Sequence, residues 1–198
     1  PRLMNVLPGE NGYPATIDVT LPAAMTAIPF GAGEAEVVAE RDGMKTWRFV
    51  QQSAGGILYA GDYVMETIHA GGMTIEFCYG RKHQAVMEDA GAVEAVKQVV
   101  EYCATRYGPL SFGAGETASN GASLLDEADF TAANLSNAEK GGGAGEVMIH
   151  ELVHQWWGLG NMFDTADPNS PWSAEGLTCY TTYRIAKQLY GEDYARTH

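Results

Sequence analysis

Hydrophobic positions along the first third of the chain recur at every second residue. Ile17, Val19 and Leu21 alternate with Asp18 and Thr20 before Pro22, and Thr46-Trp47-Arg48-Phe49-Val50 repeats the period with β-branched and aromatic residues. Such alternation puts every other side chain on one face of an extended chain, so both runs predict strands. Residues 57–64 and 73–79 continue the pattern. Glycine and proline clusters at 8–14, 31–33, 55–56 and 71–72 separate the runs and predict turns. A domain boundary is expected near Gly61-Asp62, dividing a β-rich segment over 1–60 from a second segment over 61–198.

The period changes from Glu88 onward. Val93, Val96, Val100, Cys103 and Tyr107 stand at i, i+3, i+7, i+10 and i+14, one face of a helix that Gly108-Pro109 stops. Residues 112–120 are rich in Gly, Ser and Ala, Ala122-Ser123-Leu124-Leu125 predicts a short buried strand, and 140–145 predicts a flexible loop. Two helices follow, over 146–157 and 173–190, the second with Ser173 as N-cap and Gly191 as its stop. Strands first and helices afterwards predict an α+β fold.

Composition narrows the function classes. A chain of 198 residues, 45% hydrophobic and 19% charged, can bury a core without disulfide staples. Its net charge of −13 and the lack of any basic run exclude phosphate neutralisation, and with it nucleic-acid binding and adhesion to anionic membranes. No apolar run reaches the roughly 18 residues that span a bilayer, and no signal-peptide pattern opens the chain. It starts at Pro1 without a methionine and stops at His198 just after a helical segment, so it reads as an excerpt of a longer protein. Cys78, Cys103 and Cys179 are odd in number and far apart, which predicts buried thiols and not a disulfide framework or a cysteine zinc site. His69 and His83 lie on or beside strands without metal spacing and read as surface or half-buried residues.

Chemistry concentrates in the first of the two C-terminal helices. His150-Glu151-Leu152-Val153-His154 is an H-E-x-x-H pattern. Residues four apart lie one turn above each other, so both imidazoles leave one helix face and can hold one zinc ion. Glu151 stands beside that metal, where a carboxylate can take a proton from zinc-bound water and generate a nucleophile at neutral pH. A catalytic zinc needs a third protein ligand and an open position. The metzincin pattern, Gly three residues after the second His and His three further on, is excluded, because Trp157 and Gly160 occupy those places. A carboxylate on the later helix remains, and Glu175 sits in its first turn. The plainer reading of Glu175 is a glutamate that interacts favourably with the helix dipole.

His150-Glu151-Leu152-Val153-His154-Gln155-Trp156-Trp157-Gly158 followed by Trp172-Ser173-Ala174-Glu175-Gly176 resembles the H-E-x-x-H-Q-W-[FW]-G and W-x-x-E-G segments of the gluzincin metallopeptidases similar to aminopeptidase N. The resemblance implies His150, His154 and Glu175 as ligands of one zinc ion, Glu151 as general base, and a peptide as substrate. It also implies a β-rich N-terminal domain, the end of which is 1–60, and a partial thermolysin-like catalytic domain over 61–198. The family's exopeptidases carry a G-x-M-E-N strand whose glutamate grips the substrate's free amine. Asn120 to Leu125 keeps Gly121 and Ala122 as substrate-binding residues and lacks the glutamate, which Glu116 could replace from the preceding loop. The family's oxyanion-stabilising tyrosine lies beyond the third ligand by several helices; Tyr180 and Tyr183 are too near Glu175 for that role and read as core aromatics. This chain alone is therefore expected to hydrolyse weakly. The rival reading is a non-catalytic, zinc-holding peptide-binding or sensing module of a larger protein; separately, the family's extracytoplasmic domains joined to membrane transport proteins imply an extracytoplasmic or membrane-associated parent protein.

Overall fold

The computed structural model describes residues 2–5, 15–30, 34–51, 57–110, 123, 125, 143–158 and 171–197. These fall into two compact units, one of residues up to Tyr63 and one from Val64 onward.

In the first unit, alternation becomes two antiparallel sheets of three strands. One orders β1 (Arg2–Asn5), β6 (Ile57–Gly61) and β3 (Thr26–Phe30); the other orders β2 (Ala15–Pro22), β5 (Met44–Gln51) and β4 (Glu34–Arg41). The β2–β5 register sets Ile17 opposite Phe49 and Val19 opposite Trp47 on one face, and Asp18 opposite Arg48 and Thr20 opposite Thr46 on the other. The first face joins Leu21, Ala27, Phe49 and Ala60 in a core shared by both sheets. On the second, Arg48 forms two bonds with Asp18, at 2.8 and 2.7 Å. The β4–β5 turn is Asp42-Gly43, with φ of +54° and +71°, the left-handed pair that a two-residue hairpin requires.

The second unit opens with a hairpin, β7 (Tyr63–Ala70) and β8 (Met73–Gly80). Its turn glycine, Gly71, has φ +57°, and a Cβ there would meet the Ala104 Cβ at 2.7 Å, so the hairpin packs its turn directly onto a helix. The expected single run over 57–64 is in fact the whole of β6 and the start of β7, broken at Asp62. A 3-10 turn (Arg81–His83) leads into α1 (Gln84–Asp89) and α2 (Ala92–Tyr107), then α3 (Gly143–Val153), a 3-10 turn (Pro171–Ser173), α4 (Glu175–Tyr190) and α5 (Glu192–Thr197). No helix among the described residues is long and apolar enough to cross a membrane.

Gly91, in the left-handed region, separates α1 from α2, and α2 buries Ala92, Val96, Val99, Val100, Tyr102 and Cys103. Val93, expected on that face, is 37% exposed, because the buried stripe passes through Ala92 instead. α3 begins at Gly143, three residues before the expected start, with two glycines in its first turn. Each glycine costs about 1 kcal/mol relative to alanine in a helix. Packing offsets this: Met148, Ile149 and Val153 are buried in one cluster with α2, α4, α5 and β7 residues, and each such side chain stabilises by roughly 1.5–3 kcal/mol.

Candidate metal centre

His150 and His154 are placed by the end of α3. The regular helix stops at Val153, earlier than the pattern suggested, but the His154 amide still donates to the His150 carbonyl at 3.1 Å, so the one-turn spacing holds. The two rings stand edge to face, with centroids 4.6 Å apart and planes at 87°. Glu175, the first residue of α4, faces both. His150 Nε2 is 3.3 Å from Glu175 Oε2, and His154 Nε2 is 3.5 Å from Glu175 Oε1. The imidazoles are 23% and 16% exposed and Glu175 is 53% exposed, so the cluster opens to solvent on the glutamate's side. Ligand atoms of His150, Glu151 and His154 all lie within 4.8 Å of one another.

These separations test whether the residues fit a zinc ion. Atoms bound tetrahedrally to one zinc at about 2.0–2.2 Å lie about 3.3–3.5 Å from each other. A direct charge-assisted N–H···O bond would bring nitrogen and oxygen to about 2.7–2.9 Å. Two imidazole nitrogens facing the two oxygens of one carboxylate at 3.3 and 3.5 Å match the first spacing, and two His with one Glu is a zinc donor set.

Four residues after His154 fasten the end of α3 to different partners. The Gln155 amide turns back three residues to the Leu152 carbonyl, and the Ser123 hydroxyl donates at 2.9 Å to the Glu151 carbonyl, one of the acceptors left over where a helix ends. Gln155 Nε2 in turn donates to Ser123 Oγ at 3.2 Å. Trp156, 2% exposed, donates its indole N–H to the Gly108 carbonyl at the end of α2, at 2.9 Å. Trp157 donates to Thr181 Oγ1 on α4 at 3.1 Å and packs edge-on against Tyr107. Gly158 has φ +92°; a Cβ there would lie 3.0 Å from the Ala174 Cβ and 3.3 Å from His154 Nδ1. Ala174 immediately precedes Glu175, so this glycine sets how closely the two histidine- and glutamate-bearing segments approach.

Thr178, Thr181 and Thr182 are buried, at i+3, i+6 and i+7 from Glu175. Hydroxyls at helical spacing behind a candidate ligand mark a polar face turned inward, a signal present in the sequence itself. Ser173 is not an N-cap: it ends a 3-10 turn with its side chain buried, and Ala174 caps α4 without a side-chain bond. Tyr180 is 56% exposed and not a core aromatic, its hydroxyl accepting from Arg184 at 2.8 Å, whereas Tyr183 packs against the core. Cys179 is an exposed thiol, Cys78 is half-buried and Cys103 is buried. Ser123 and Leu125 pair with no strand, and Ser123 hooks onto α3 instead. His69 is exposed and His83 half-buried. Gly121, Ala122 and Glu116 lie outside the described residues, as do the turn clusters 8–14, 31–33 and 55–56.

No protein-family model and no curated protein sequence matches the chain. Among solved structures, a mutant M1 zinc metallopeptidase from Deinococcus radiodurans bound to a Tyr-Ser-Ala substrate is similar with a TM-score of 0.51 at 22% identity, over 93% of this chain and 43% of that one. Another structure of M1 zinc metallopeptidase from the same organism has a TM-score of 0.48 at 19% identity over the same shares. The likeness is one of fold: mixed helix and strand with a sheet-rich N-terminal region, similar to part of an M1 peptidase. The chain spans 43% of the length of each of these two solved structures.

Proposed function

We propose that this chain is the metal-bearing part of a zinc-dependent metallopeptidase of the aminopeptidase N-like kind, with His150, His154 and Glu175 holding one zinc ion and Glu151 acting as general base. The observation that carries the reading is the pair of Nε2–carboxylate separations, 3.3 and 3.5 Å, which suit joint ligands of one ion. Zinc bound there would polarise a peptide carbonyl and acidify water. Glu151, next to His150 on the same turn, takes the proton of the attacking water on its carboxylate and returns it to the departing amine. The open side at Glu175 admits the substrate. On this reading residues 61–198 belong to a thermolysin-like domain, and Gly121 and Ala122 line the substrate.

The test is peptide cleavage by zinc-loaded and chelator-stripped protein beside Glu151→Gln. Glu151→Gln should retain zinc and lose roughly 10²–10⁴ of whatever hydrolysis the wild type shows. Zinc lost along with activity would make Glu151 structural and sink its role as base.

A second reading is a zinc-holding peptide-binding module; the stretch Asn120 to Leu125, where no glutamate stands, bears instead on whether a free amine is gripped. Matched free and N-acetylated peptides separate the two. Binding of both without cleavage by the zinc-loaded protein favours the module, and cleavage of both favours a peptidase with little preference for a free N-terminus.

A further inference from the structure

His154 Nδ1 lies 3.1 Å from the Trp157 carbonyl and 3.3 Å from the Thr178 hydroxyl. A carbonyl can only accept, so the nitrogen facing it carries a proton, which leaves Nε2, on the side of Glu175, as the nitrogen able to ligate a metal. The Thr178 oxygen then shares that proton as a second acceptor. Thr178 is fully buried and stands one turn after Glu175 on the same helix, whereas Trp157 belongs to the turn that carries His154 itself.

From this arrangement we infer that Thr178 is a positioning residue of the metal site. It holds the His154 ring to the helix that bears Glu175, so that the two groups keep their 3.5 Å separation before any ion arrives. A histidine ligand whose far nitrogen donates to fixed acceptors is locked in one tautomer and one orientation, and removal of such a partner usually weakens metal binding by about 10–100-fold. Because the Trp157 carbonyl remains in every variant, the loss on removing the Thr178 hydroxyl should sit at the lower end of that range. Gly158 closes the same corner from the other side, where an added Cβ would press on Ala174 and His154 Nδ1.

The inference rests on the zinc reading, and its test keeps the two apart. Zinc affinity is measured by competition with a chelator for wild type, Thr178→Val and Thr178→Ser, together with thermal unfolding of each metal-free protein. Thr178→Val should bind zinc about 10-fold more weakly at a nearly unchanged metal-free midpoint, and Thr178→Ser should restore wild-type affinity. In metal-free wild type, nitrogen NMR of the imidazoles should place the His154 proton on Nδ1. A wild type that binds no zinc defeats the zinc reading, whereas a wild type that binds zinc no more tightly than Thr178→Val defeats the role of Thr178 alone. A serine variant as weak as the valine one overturns that role as well. Should the valine variant fail to fold, Thr178→Ala takes its place in the zinc competition, and in wild type a His154 Nδ1 found without a proton overturns the inference.

Discussion

Replacing Gly158 by alanine should damage the fold and the metal site together, by an amount the structure lets one separate. At φ +92° the backbone is in a region that alanine adopts at a cost of about 1–3 kcal/mol. The added Cβ would also sit 3.0 Å from the Ala174 Cβ and 3.3 Å from His154 Nδ1, and forcing a methyl into a packed site costs about 1–3 kcal/mol more. Gly191 supplies the control. Its φ is +94°, and nothing lies within 4 Å of a Cβ built on it, so Gly191→Ala carries the backbone strain without the clash. Urea unfolding of the two metal-free variants should therefore differ by about 1–3 kcal/mol, with Gly158→Ala the less stable. A zinc titration should separate them further. Moving Ala174 or His154 displaces a candidate ligand, so Gly158→Ala should bind zinc at least about 10-fold more weakly while Gly191→Ala binds it normally. Equal destabilisation of the two variants, with zinc affinity untouched in both, would refute the claim that Gly158 sets the approach of the two segments.

Three further outcomes follow from single contacts. Trp156→Phe keeps the ring in the core but deprives the Gly108 carbonyl of its indole donor, and should lower stability by about 1–2 kcal/mol in the same unfolding assay. Of the three thiols only Cys179 should react promptly with a disulfide reagent near neutral pH, since burial pushes Cys103 up to about 12 and Cys78 up to about 11 and holds both as thiols; prompt reaction at three sites in the folded protein would contradict the packing around α2 and β8. Ile149→Ala, emptying a fully buried position on α3, should cost about 2–5 kcal/mol in urea unfolding, and a loss below about 1 would mean that α3 is not anchored as described.

The sequence pattern and the structure part company where local signals compete with packing. Ile17, Val19 and Leu21 announce their strand because one face of β2 is covered and the other exposed. Glu34–Arg41 does not, because every described side chain in β4 is exposed, a bulge after Val37 breaks the alternation, and Glu, Ala and Arg lean towards helix. Ser173 looked like an N-cap because serine precedes a periodic run, yet the chain reaches α4 through a 3-10 turn that buries it. At the candidate site, the four-residue spacing of His150 and His154 was enough to bring their rings together edge to face, and Glu175 was legible as a first-turn carboxylate. What the spacing could not show is how the α3 and α4 segments meet. That is settled by tertiary contacts of Trp157, Gly158, Thr178 and Thr181, whose side chains and backbone carry no metal-binding signal of their own.

X-ray absorption at the zinc edge, on protein stripped with chelator and reloaded, reads the ligand set of the metal centre itself. One zinc per chain is expected, with two imidazole nitrogens at about 2.0–2.1 Å, carboxylate oxygen at about 2.0–2.2 Å and no sulfur. Less than one equivalent bound, a single imidazole in the shell, or a sulfur at about 2.3 Å would contradict it.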